Sequence, residues 1–96
     1  MRFNLVVLHT NTRHMHSDYI ADQEFRDEVF NDINTKFKEF DNCTFYNIDF
    51  TDCTFQTVTF VDCNFFDCNF KDTKINYVSL RGVWFTKCNF TNVNFA

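Results

Sequence analysis

A chain of 96 residues fits one domain, and a chain this short needs regular repetition or self-association to bury an adequate core. The net charge of −4, from 13 acids against 9 bases, argues against a nucleic-acid-binding surface, which is normally basic. One Gly and no Pro exclude ordinary Gly/Pro turns as the means of bending the chain, and 15 Phe far exceed the usual globular share.

Arg2 to Thr10 reads as a strand, with Phe3, Leu5 and Val7 alternating against polar or second-face residues. Its apolar run is too short for a signal peptide or a membrane span. The expectation is a soluble cytoplasmic protein with no membrane contact, a compartment that suits reduced cysteines. Ser17 or Asp18 can cap a helix, with Asp22 and Glu24 early in the segment. Phe30, Ile33, Phe37 and Phe40 then follow at spacings of three, four and three, a helical stripe with Lys36 and Lys38 near its C-terminal end. Phe25 and Phe30 also fall in phase with the five-residue repeat that fills the rest of the chain. The residues two places before them, Gln23 and Glu28, could not sit unpaired inside a coil, which favours strand plus helix. Residues 1–38 are therefore expected to form a strand–helix segment that caps the N-terminal end of residues 39–96.

From Asp41 to Phe95 the chain is eleven consecutive five-residue units: DNCTF, YNIDF, TDCTF, QTVTF, VDCNF, FDCNF, KDTKI, NYVSL, RGVWF, TKCNF and TNVNF. The last position is Phe in nine of them, with Ile75 and Leu80 as the exceptions, so one ring recurs per unit. The middle position is Cys, Val, Ile or Thr throughout, small or β-branched and suited to a tight interior. On a helix, successive Phe would rotate by about 140° and cover all sides. On a flat strand, an odd period would send them to opposite faces. The middle and last residues are two apart and share a face of an extended segment. A short extended segment followed by a bend keeps both inside, and repetition closes the chain into stacked coils.

These units resemble the pentapeptide-repeat family, over about 55 of 96 residues without an insertion. The resemblance implies a mainly β fold: a right-handed, four-sided parallel β-helix with four units per coil. Residues 20 apart would then stack about 4.8 Å apart. Phe40 is in phase, so residues 36–95 would make about three coils.

Little in the sequence points to catalysis, a cofactor or a metal. The five cysteines have no C-x-x-C pair and all fall on the inward middle column, as small buried side chains do. A zinc site would need thiols that are spread around the coil. Cys43 would stack on Cys63 and Cys68 on Cys88, at a separation that permits a disulfide, but parallel side chains and a reducing compartment argue for free thiols. His14-x-His16 lacks an evident third ligand, and solvated loop histidines are the default for these two and His9. No nucleophile–base pair or phosphate loop stands out, and the recurrent Asp at the second position suits turn support. No enzyme activity is expected.

Function then falls to outward positions. On the four-sided scheme, one face carries Tyr46, Phe66 and Trp84 outward, and Phe66 is the lone repeat-region Phe outside the last position. An exposed aromatic cluster of this kind marks a partner-binding surface. The alternative is that the N-terminal helix packs over it. The last coil would expose strand edges and the rims of Leu80, Phe85, Phe90 and Phe95, which predicts a homodimer through that end. The competing outcome is a monomer whose end is covered by its own N-terminal segment. The expected function is a non-enzymatic protein-interaction module with an unknown protein partner and no direct nucleic-acid binding. The resemblance extends to gyrase-binding quinolone-resistance proteins, which present a DNA-like acidic rod. It implies an alternative: a DNA-mimic inhibitor of a nucleic-acid enzyme such as DNA gyrase, or a phage-type inhibitor of a host factor.

Overall fold

The protein is described here from a computed structural model covering residues 1–6 and 18–95, with backbone only for Leu5 and Val6. In chain order the elements are β1 (Arg2–Val6), β2 (Asp18–Ala21), β3 (Glu24–Arg26), α1 (Asp32–Thr35), β4 (Lys38–Asp41), β5 (Thr44–Tyr46), β6 (Thr54–Val61), β7 (Asn64–Phe66) and β8 (Lys74–Thr86). Parallel pairing advances by 20 residues at each step: Asp18 with Lys38, Glu39 with Thr59, Thr59 with Ser79. A second side stacks Phe25, Phe45, Phe65 and Phe85, and a third is bridged through Val29, Asp49, Asn69 and Asn89. The result is a mainly β, four-sided parallel solenoid of about three turns.

The bends need no proline and only one glycine because the second residue of each unit takes the left-handed conformation. Asp22, Asp27, Asn42, Asn47, Asp52, Asp62, Asp67, Asp72 and Asn92 all have φ between 51° and 61°. Asn and Asp tolerate this region better than other side chains with a Cβ. The corner columns are tied vertically: Asn42 donates to Asp22, Asn47 to Asp27 and Asn92 to Asp72, at 2.7–2.9 Å. A Cβ at Gly82 would lie 2.5 Å from Asp62 Oδ1, so a side chain there would require the Asp62 carboxylate to swing aside.

The last residue of each unit forms the core. Phe45 stacks on Phe65 at 4.5 Å and Phe65 on Phe85 at 5.0 Å, nearly parallel, while neighbouring columns meet edge to face. Each ring buried this way contributes roughly 1.5–3 kcal/mol. The middle residue leans toward the preceding coil. Cys43 Sγ–H donates to Ile20 O, Cys63 to Phe40 O, Cys68 to Phe45 O and Thr73 Oγ1–H to Phe50 O. Every buried polar side-chain atom among the described residues has a partner.

Two expectations for the N-terminal segment are corrected. The helix foreseen across Phe30–Phe40 is a single turn, α1, capped by Asn31, whose Oδ1 accepts from Ile33 N. The five-residue phase prevails earlier, and the parallel ladder begins at Asp18. Phe25 stacks on Phe45 at 5.1 Å, and Phe30 meets Phe50 at 5.3 Å. Gln23 and Glu28 cost no burial: middle residues lean toward the preceding coil, the first coil has none beneath it among the described residues, and both are exposed. The strand itself covers the opposite end from the one expected. β1 runs antiparallel along β8 on the last coil, pairing Arg2 with Trp84, Phe3 with Val83, Leu5 with Leu80 and Val6 with Ser79.

Candidate interaction surface

The face carried by β3, β5, β7 and the end of β8 has two outward columns. One is Arg26, Tyr46, Phe66 and Thr86; the other is Glu24, Thr44, Asn64 and Trp84. Both follow from strand alternation: the residues on either side of the inward Phe25, Phe45, Phe65 and Phe85 must point out. Tyr46 and Phe66 stack at 5.2 Å with 13° between planes. The Arg26 guanidinium lies 3.9 Å from the Tyr46 ring centroid and is held sideways by Glu24 at 3.5 Å. Trp84 is 48% exposed, with the Arg2 guanidinium 5.9 Å from its ring. No described helix covers this face, since α1 packs against β6.

Tyr46, Phe66 and Trp84 thus come together on one outward face. Arg26 and Arg2 are additions that sequence reasoning missed. Arg26 lies 20 residues before Tyr46 and becomes visible once the five-residue phase is carried back to Asp18. Arg2 reaches Trp84 only because β1 crosses the last coil.

The C-terminal residues divide. Leu80 and Phe85 are buried, 5% and 7% exposed, with Phe3 edge-on to Phe85 at 5.6 Å and the Phe85 N–H donating to Met1 O at 2.8 Å. Phe90 and Phe95 are half-buried, and with Phe85 and Val93 they line an apolar recess of about 20 Å³. Phe3 also touches Phe95 at 5.9 Å.

All five cysteines are free thiols, as expected, but Cys88 is only half-buried. Burial pushes the Cys53 and Cys63 thiols up to about 12. The neighbouring thiols Cys68 and Cys88 shift each other in opposite directions, Cys68 up, with desolvation adding to it, and Cys88 down. On another face Tyr19 donates to Asp41 at 2.6 Å, which pushes that phenol up to about 12. Among the described residues no three His, Cys, Asp or Glu side chains gather as a metal site, and His9, His14 and His16 lie outside them. No described helix is long and apolar enough to cross a membrane.

Two family models, both described as pentapeptide repeats, match residues 36–74 and 63–96. No curated protein matches the chain. Among solved structures it is similar to full-length QnrB1, a plasmid-mediated fluoroquinolone resistance protein, at 22% identity and a TM-score of 0.55, over 80% of this chain and 37% of that one. A trypsin-treated form of QnrB1 matches at 18% identity and a TM-score of 0.51, over 80% of this chain and 57% of that one. The chain therefore spans well under two thirds of either structure, and at these identities the likeness shows the fold alone.

Proposed function

The chain belongs to the pentapeptide-repeat family, and from that premise we propose that it is a non-enzymatic, cytoplasmic protein-interaction module that binds a partner protein through the face of Tyr46, Phe66 and Trp84. The observation that carries this reading is the half-exposed Trp84 beside the stacked Tyr46–Phe66 pair. A soluble repeat protein needs its rings inside; large aromatics held outward in register act as anchors for a partner. The test is a photo-crosslinking amino acid placed at Trp84 and, as a control on another face, at Thr59. A discrete adduct from position 84 that Phe66→Ala abolishes supports the reading. Equal adducts from both positions would overturn it.

A second reading rests on charge. Residues 18–57 carry ten acids against three bases, net −7, whereas residues 58–95 carry three against four, net +1. The acidic half supports an inhibitor that occupies the nucleic-acid groove of an enzyme such as DNA gyrase, or of a phage-targeted host factor. Binding of that kind weakens steeply with salt, and an aromatic contact does not.

A homodimer through the last coil is a further proposal, now centred on Phe90 and Phe95, since Leu80 and Phe85 lie beneath β1. Light scattering decides: a mass near 11.6 kDa at micromolar concentration overturns it.

A further inference from the structure

On the same aromatic face, and resting on its reading as the contact surface, we propose that the ring face of Phe66 above Thr86 is a seat for an arginine side chain of the partner. The column Arg26, Tyr46, Phe66, Thr86 is a stack that stops one member early. Its first gap is filled by the chain itself, with the Arg26 guanidinium 3.9 Å from the Tyr46 centroid. Tyr46 covers one face of Phe66. Beyond the other face the next rung supplies only Thr86, which is exposed and too short to lie over a phenyl ring.

The chemistry of the occupant follows from how the chain treats its own outward rings. On this face Tyr46 and Trp84 each carry a guanidinium, from Arg26 and Arg2, whereas Phe37, on another side, carries the Lys36 ammonium at 5.2 Å. Guanidinium is planar and weakly hydrated, so it can stack on a ring while its edge faces a carboxylate, as Arg26 does in its ion pair with Glu24. The corners beside Phe66 supply two carboxylates: Asp67 next to it in the chain and Asp62 on the other side of the strand. Lys87, one rung beyond Asp67, and the Met1 ammonium, which donates to Phe85 O beside Thr86, oppose a cation, so the seat depends on stacking more than on charge. A compact ammonium gains less from the ring than a guanidinium does.

Trp84 is the chain's single tryptophan and shares the seat's strand and outward face, two residues from Thr86, so its fluorescence reports occupancy. The probes are hexa-arginine and hexa-lysine peptides of equal charge, titrated against the intact protein. Hexa-arginine should bind about three- to tenfold tighter. Phe66→Leu, which keeps an apolar side chain and the fold, should bring that ratio to about one. Asp67→Asn should weaken both peptides, and Lys87→Gln should strengthen hexa-arginine. Equal affinities in the unmodified protein, or an arginine preference that survives Phe66→Leu, would overturn the proposal. So would tighter binding of a peptide in which a phenylalanine replaces one arginine. If the position-84 crosslink to the partner forms but hexa-arginine fails to compete with it, the arginine seat fails while the contact face stands. If the crosslink is absent as well, both fail.

Discussion

The two ends of the solenoid solve opposite problems. At the first coil the middle-position side chains have no coil beneath them among the described residues, and polar Gln23 and Glu28 stand exposed there. At the last coil the direction of the side chains reverses the situation: the middle residues are tucked against the coil below, and the rings of the final positions form the top surface. That apolar end is crossed by β1, whose Phe3 meets both Phe85 and Phe95. One end is made soluble by sequence at two positions, and the other by a strand from 80 residues away. Side-chain tilt, a local property, decides which end needs which remedy.

The contrast depends on a rigid middle, so the largest effect should come from there. Phe65 is 1% exposed between Phe45 and Phe85, and Phe65→Ala should cost about 3–5 kcal/mol in urea unfolding. An unchanged midpoint would break the assigned phase. Next comes a transplant of the N-terminal solution one coil inward. Cys43 stands directly above Gln23, and Cys43→Gln would put an amide where the thiol is fully buried, at a cost of roughly 2–4 kcal/mol. Phe3→Ala removes the ring from the strap over the last coil. It should cost about 1–2 kcal/mol and raise the tendency to associate in light scattering. No change in either would show that β1 shields nothing.

Thiol titration sharpens the same contrast by pH. Cys53 and Cys63 ionise near 12 in the fold against about 9 when unfolded. Their raised values favour the folded protein below pH 9, and that stabilisation is lost as pH rises from 9 toward 12. Native alkylation at pH 7 should reach Cys88 first, and the other four only after denaturation. Rapid native labelling of Cys53 or Cys63 would contradict their burial. The smallest effect belongs to the open rim. Gln23→Val should change stability by less than about 0.5 kcal/mol, since its side chain is already in water.

The repeat was legible because it is local. A Phe every five residues with a small residue two places before it admits one packing, and Asp or Asn at the second position supplies the left-handed bend. Those features placed Tyr46, Phe66 and Trp84 on one outward face without coordinates. The start of the solenoid was misread for a reason of context. The rule that a middle residue must be buried holds only where a coil lies beneath it, and among the described residues none lies beneath Gln23 and Glu28. The helical stripe from Phe30 to Phe40 was real as spacing, but Phe25 stacks on Phe45 and Phe30 packs edge-on against Phe50, which carries the five-residue phase through this segment instead.

What the amino-acid sequence determined by itself was therefore the coil, its period, its interior and its outward columns, because each depends on residues five or twenty apart. The tertiary structure alone decided where β1 lies, that Leu80 and Phe85 are covered, and that Arg2 reaches Trp84. Those contacts join residues about 80 positions apart, and no repeat relates them. They form because an apolar coil end with unpaired backbone groups is stabilised by the strand that can reach it.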